Sequence, residues 1–297
     1  MHTLDNKTKT VMCLGFFDSL HLGHISVIQK AKTLANELGA TVTVFSFNGN
    51  LKKALFSSEE KVVLLPSERK KVLYELGIES TYFMPVSKKY LGLDKREFLD
   101  FLTQKFNVSA FVFGEDFRFG KGAGGNVDYI REYASEKGIL VRVVDTYLVD
   151  NEKVSTTRIK ELLENGKINT ANELLGKEYF ITGKVYKDRG VGTKMGFPTA
   201  NVKFSKEKAL VKKGVYYGTV KVRGKFYKAL INYGTRPTFH ENELTLEVFL
   251  IDFSGNLYDK TLTVYFKEYL REEVKFNDIK ELSETIKKDL QRVKEYD

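Results

Sequence analysis

The feature that most constrains this chain is a change in hydrophobic period near residue 178. Up to about residue 150, short β-rich apolar runs alternate with stretches of helical spacing. Thr10–Phe16, Thr41–Phe47, Thr81–Pro85, Ala110–Gly114 and Leu140–Tyr147 read as strands, and Ile25–Leu38, Arg69–Leu76, Phe98–Phe106 and Val127–Lys137 as helices. Such a series demands a mostly parallel, Rossmann-like sheet covered by helices, with ligands bound beyond the carboxyl ends of its strands. Two more helical stretches, Thr157–Asn165 and Ile168–Leu175, precede the change. From about Glu178 the period falls to two over Tyr179–Tyr186, Val215–Val222, Lys225–Asn232, Leu244–Ile251 and Leu262–Phe266, with Gly-containing turns between. That pattern fits a small antiparallel barrel, and residues 277–295 fit an amphipathic closing helix. The expected architecture is α/β followed by β, with domains at 1–177 and 178–297.

Composition narrows the chemistry. The net charge of +9 is uneven, with 20 basic and 18 acidic residues in 1–150 but 28 and 21 in 151–297. A surplus of this size favours anionic small molecules such as nucleotides. No basic stripe with interleaved aromatics calls for a nucleic-acid partner. A single cysteine, Cys13, excludes an intramolecular disulfide framework and a Cys₄ zinc site. Residues 1–7 lack the apolar core of a signal peptide, and no apolar run nears the roughly 18 residues that span a bilayer. The reading is a cytoplasmic protein with no membrane partner; oligomeric state is not legible.

After the first strand comes Gly15-Phe16-Phe17-Asp18-Ser19-Leu20-His21-Leu22-Gly23-His24, with a helix expected at or just after His24. A helix N-terminus offers free N–H groups and the positive end of a dipole, and Gly23 lets backbone approach a ligand, so the loop suits a triphosphate. Taken alone, such a histidine pair fits a solvated loop with one histidine capping the helix better than it fits a ligand site. Ser155-Thr156-Thr157-Arg158-Ile159-Lys160 sets three hydroxyls and two cations at another helix start, as a departing pyrophosphate would require. Gly120 to Gly125 satisfies G-x-G-x-x-G, but the glycines do not follow a strand directly and read as a loop; a G-x-x-x-x-G-K-[ST] P-loop is absent.

These segments, with Gly114-Glu115-Asp116-Phe117-Arg118-Phe119-Gly120, resemble the nucleotidylyltransferase half of prokaryotic bifunctional riboflavin kinase/FMN adenylyltransferases. The resemblance implies ATP contacts at Gly15, Phe17, Asp18, Gly23, Ser155, Thr156, Thr157 and Arg158, with His21 and His24 stabilising charge during transfer. It implies flavin-side or adenine-side contacts at Asp116, Phe117 and Arg118. The chain departs from the family in Ser19, where glycine is usual, and in Ser46 to Leu51, where P-H-P is usual.

The second half resembles the riboflavin kinase of the same family. Gly196-Phe197-Pro198-Thr199-Ala200-Asn201 matches its G-F-P-T-A-N signature, which implies Mg²⁺ held with the nucleotide by Thr199 and Asn201. A hydroxyl and a carbonyl oxygen are the hard donors Mg²⁺ prefers. Leu246-Glu247-Val248-Phe249-Leu250 resembles the strand bearing the catalytic glutamate, so Glu247 is expected to accept the riboflavin hydroxyl proton. Further matches imply flavin contacts at Asn232 and Arg236, and place Arg271 at the flavin or a phosphate. The usual R-G-R flap is replaced by Val191-Gly192-Thr193, which leaves Gly192 and Lys194 for the phosphates. Across nearly the whole chain, the resemblance implies two reactions, riboflavin to FMN with ATP and FMN to FAD with release of pyrophosphate. A chain keeping one of these activities, or a flavin-responsive RNA-binding regulator, are the alternatives.

Overall fold

A computed structural model describes residues 8–49, 51, 54, 61–187, 197–208, 211–237, 242–274 and 279–296, with backbone alone at 236, 237, 242, 243 and 279. The chain divides into two compact units, Met1–Thr156 and Thr157–Asp297.

In the first unit, β1 (Thr10–Leu14), β2 (Thr41–Asn48), β3 (Ser80–Pro85), β4 (Val108–Gly114) and β5 (Leu140–Val144) form one parallel sheet in the order β3-β2-β1-β4-β5. β1 is buried along its whole length, as a central strand covered on both faces must be. Its lone thiol, Cys13, lies in that core, and burial pushes its pKa up, so it stays a neutral apolar filler. Met12, Phe45, Met84, Phe111, Phe113 and Tyr133 pack one large core cluster with the helices.

Helix α1 (Leu22–Leu38) buries Val27, Ile28, Ala31, Leu34 and Ala35, the stripe expected of a 3.6-residue period, and stops at Gly39 in the left-handed region. Its start is a correction to the sequence reading, one half-turn earlier than expected, because His21 itself supplies the cap. α2 (Pro66–Glu75) opens on a proline, whose missing N–H costs nothing at that position. The short α3 (Lys88–Leu91) was not visible in the periodicity. α4 (Lys95–Lys105) opens with a reciprocal cap in which Asp94 Oδ1 accepts from the Glu97 amide at 2.9 Å and Glu97 Oε2 from the Asp94 amide at 2.8 Å. α5 spans Val127–Lys137. The strand expected over Leu140–Tyr147 ends at Val144, and a hairpin of β6 (Leu148–Val149) and β7 (Glu152–Lys153) follows. The Gly120–Gly125 segment is a tight turn closed by Phe119 and Gly125.

The second unit opens with α6 (Thr156–Glu164, of which Thr156 belongs to the first unit) and α7 (Ile168–Leu175). β8 (Tyr179–Tyr186), β9 (Ala200–Phe204), β10 (Gly214–Val222), β11 (Lys225–Pro237), β12 (Asn242–Leu250) and β13 (Thr261–Arg271) then close an antiparallel barrel in the order β10-β11-β12-β9-β8-β13. β13 runs five residues past the expected Phe266, and β9 was not foreseen. Gly218 is required here: a methyl on it would strike the Tyr265 carbonyl of the neighbouring strand. Helix α8 (Ile279–Glu295) covers part of the outer face, laying Ile286, Leu290 and Val293 on Val215, Tyr217, Leu230 and Phe249.

Candidate active sites

β1 sits where the strand order turns, with β2 on one side and β4 on the other, so the loops leaving β1 and β4 part and open a crevice. The loop after β1 is unusually bent. Buried Phe17 and Leu20 hold φ of +52° and +49°, a region that costs a bulky residue about 1–3 kcal/mol. Gly15 permits the bend, because its Cα lies flat under the Phe17 ring: a Cβ there would be 2.6 Å from Phe17 Cζ.

His21 then caps α1, its Nδ1 accepting the His24 amide N–H at 3.2 Å. With Nδ1 spent on the cap, the ring hydrogen falls on Nε2, where it can serve a ligand. The two imidazoles stack with centroids 3.8 Å apart and an 11° interplanar angle, and Phe17 meets His24 edge-on at 5.2 Å. Both histidines line a cavity of about 760 Å³ with Gly15, Gly23, Ser155 and Thr156. Part of its remaining lining is aromatic. Phe117 and Phe119 stack at 5.7 Å, and Phe98 bridges Phe119 to Phe45 at 5.3 Å on each side. One cavity thus joins a helix-end anion site to a surface suited to a flat ring system.

The loop after β4 supplies Asp116, Phe117 and Arg118 to the same cavity. Asp116 accepts a 2.5 Å ion pair from Lys153, and Glu115 Oε1 accepts from the Thr146 amide at 3.1 Å and its hydroxyl at 2.5 Å. These contacts strap the mouth to the β6–β7 hairpin. Buried Asp18 follows Phe17 in the bend. Ser19, in place of glycine, sets its hydroxyl 3.0 Å from that of Thr156, tying the two motif segments together. Thr157 and Arg158 follow on the first turn of α6, in the second unit.

Two polar residues here, Lys153 and Arg69 on α2, and the contact between Ser19 and Thr156 were not visible in sequence. Arg69 is 1% exposed; burial lowers its pKa to about 10 while nearby Asp18 raises it. The outward charge spacing of α2 gave no hint that one of its cations points inward.

On the barrel, register brings the predicted residues into one row. Asn201 on β9 opposes Glu247 on β12, Glu247 opposes Asn232 on β11, Asn232 opposes Val215, and Val215 opposes Arg271 on β13. Directly opposed residues share a face, so Asn201, Glu247 and Asn232 stand side by side. Asn201 is buried and Glu247 half-buried, next to the apolar row that α8 covers. Half-buried Thr199 lies just before β9, where Phe197 anchors the segment by meeting Phe249 edge-on at 6.0 Å. Arg271 directs Nε and Nη2 to Asp289 of α8, at 3.0 and 2.7 Å to Oδ2, and Nη1 to the Glu272 carbonyl at 3.0 Å. Glu273 rests its carboxylate on the bare Cα of Gly234, two residues along the same face from Asn232. Gly192, Lys194 and the side chain of Arg236 lie outside the described residues.

Fold and site together define a two-domain, nucleotide-dependent transferase, an α/β unit with a helix-end anion site joined to a barrel bearing a carboxylate between two carboxamides. The FAD synthetase family model matches residues 3–158, and the riboflavin kinase model matches residues 175–297. A bifunctional riboflavin kinase/FMN adenylyltransferase of Bacillus subtilis is 34% identical over 98% of this chain and 94% of its own, and that of Listeria monocytogenes is 31% identical over 95% and 90%. The chain belongs to the bifunctional riboflavin kinase/FMN adenylyltransferase family. A Streptococcus pneumoniae crystal structure described as a macrolide-efflux protein matches with a TM-score of 0.90 at 27% identity, over 98% of this chain and 95% of that one. Among the described residues, no helix is long and apolar enough to cross a membrane.

Proposed function

We propose that this chain makes FMN from riboflavin and ATP in its barrel and FAD from FMN and ATP in its α/β unit, as a cytoplasmic enzyme acting on small molecules without nucleic acid. We place the domain boundary between residues 177 and 178. The observation that carries the reading is that each unit keeps its own reactive row: stacked His21 and His24 at the α1 N-terminus, and Asn201, Glu247 and Asn232 across the barrel.

In the barrel, the Glu247 carboxylate accepts the 5′-hydroxyl proton of riboflavin as that oxygen attacks the γ-phosphorus of ATP, and ADP leaves. Thr199 and Asn201 offer a hydroxyl and a carboxamide oxygen, a hard donor pair that fits Mg²⁺ beside nucleotide phosphates. Mg²⁺ bound there would neutralise phosphate charge. Asn232 and Arg236 hold the flavin, Gly192 and Lys194 attend the phosphates, and Arg271 fixes α8 beside the site. In the α/β unit, an FMN phosphate oxygen attacks the α-phosphorus of ATP and pyrophosphate leaves. The α1 amides, Gly15, Phe17, Asp18, Gly23, His21, His24, and Ser155 to Arg158 receive the triphosphate charge, while Asp116, Phe117 and Arg118 contact the flavin or adenine. No covalent enzyme intermediate is needed.

The test is chromatography of flavins after incubation with ATP and Mg²⁺, with riboflavin or with FMN as substrate. Glu247→Gln should block only FMN formation, and the His21→Ala/His24→Ala double variant only FAD formation. FAD from FMN without FMN from riboflavin would leave an adenylyltransferase alone, and FMN without FAD a kinase alone. RNA binding with steep salt dependence and no turnover would favour a regulator.

A further inference from the structure

Among the described residues of the first unit, Arg69 is the most buried Lys or Arg, and the cavity mechanism does not use it. It spans two strand ends. Nη1 donates to the Phe16 carbonyl and to Ser46 Oγ, each at 2.8 Å, and Nη2 donates to the Phe47 carbonyl at 2.7 Å. Ser46 Oγ in turn donates to the same Phe16 carbonyl at 2.6 Å. The guanidinium carbon lies 5.2 Å from the centroid of Phe16 and 5.3 Å from that of Phe83. Phe16 and Phe47 both line the cavity, whereas Arg69 lies behind them.

Two facts argue against simple packing. A buried guanidinium is costly to desolvate, and an apolar side chain of similar volume would fill the space at less cost. Moreover, the two chains it joins differ in kind: the end of β2 is laddered to β3 through Asn48, while the loop beginning at Phe16 runs through the left-handed residues Phe17 and Leu20, so the fork ties a bent loop to a fixed strand end. A planar fork reaches both chains at once, which a lysine ammonium cannot reproduce.

We infer that Arg69 is a positioning residue for adenylyl transfer, clamping the end of β2 to the loop that carries His21 and His24. The inference rests on the adenylyl-transfer reading above. Arg69 touches no reacting atom; it sets where the histidine rings and the α1 amides stand. Small misplacements of such groups carry large rate penalties, so Arg69→Met should lower kcat for FAD formation from FMN by about 10- to 100-fold, with a smaller rise in KM for ATP. Arg69→Lys should recover part of that loss, and Ser46→Ala should cost several-fold.

The experiment measures these constants in the full chain, with FMN formation from riboflavin as the internal control. Amide hydrogen exchange is followed at residues 10–21 and 41–48. The expected result is faster exchange in the 15–21 loop, retained protection in β1 and β2, unchanged FMN formation and reduced FAD formation. Unchanged loop exchange and kcat within about twofold of the parent in folded Arg69→Met overturn the inference. Should Arg69→Met lose β1 protection, Arg69→Lys and Ser46→Ala decide: full kcat in both overturns it. A parent that makes no FAD would refute the adenylylation reading, and loop exchange would still decide whether Arg69 positions the loop.

Discussion

Gly15 and Glu247 are residues whose neighbours dictate what a change would do. A methyl at Gly15 would press on the Phe17 ring at 2.6 Å, and that ring is the edge against which His24 rests. Gly15→Ala should therefore cut FAD formation at least 10-fold while sparing FMN formation, read by flavin chromatography on both substrates. Glu247→Gln keeps the shape of the Asn201–Glu247–Asn232 row and removes its one proton acceptor, so kcat for FMN should fall by about 10²–10⁴, with riboflavin affinity within a few-fold. His21, His24, Thr199, Asn201 and Glu247 could be named as candidates from sequence because each lies in a contiguous motif. Arg69 and Lys153 could not, because each acts through residues distant in sequence: Phe16 and Phe47 for one, Asp116 for the other.

Among the elements, α8 is held to the barrel by an apolar stripe, by an exposed Arg292–Glu268 ion pair at 2.9 Å and by one more deeply set ion pair. Arg271 and Asp289 form that pair, with side chains 25% and 11% exposed, and Tyr217 stacks on Tyr296 at 4.6 Å. Removing one partner leaves the other charge partly buried, so Arg271→Met should destabilise the barrel by about 2 kcal/mol. Changing Asp289→Leu as well should return part of that loss. Urea unfolding followed by circular dichroism, with amide exchange across α8, reads both. The sequence places Arg271 at the flavin or a phosphate; its pairing with Asp289 was not visible there, because the pattern reveals a cation but not which carboxylate it meets. β9 escaped notice because its first two residues, Ala200 and Asn201, belong to the G-F-P-T-A-N motif, which leaves only Val202–Phe204 beyond it. α1 started earlier than expected because apolar spacing marks a helix face, while the His21 cap sets its first turn.

At the scale of the whole molecule, stability should depend on pH through Lys177. Burial, aided by repulsion from Lys208, lowers its pKa from 10.5 to about 7. Between pH 7 and 10.5 the unfolded chain binds a proton there that the folded chain does not, so the folded state gains stability as pH rises through that window. Below about pH 7 both states are protonated and the full penalty stands. Thermal unfolding from pH 6.5 to 10 should show Tm rising more steeply in the parent than in Lys177→Met; equal slopes would refute the assignment. The parallel sheet followed by an antiparallel barrel was legible at this scale because the hydrophobic period itself changes. The six-strand ring has another consequence. It closes on itself, each strand having a neighbour on both sides, whereas the parallel sheet ends at β3 and at β5, whose Leu140 is 42% exposed. Strand rims left open are templates for intermolecular pairing. In a heated or ageing preparation, fibrous or amorphous precipitate should nucleate from the α/β unit, and a charge added at Leu140 should delay turbidity more than any surface charge added to the barrel.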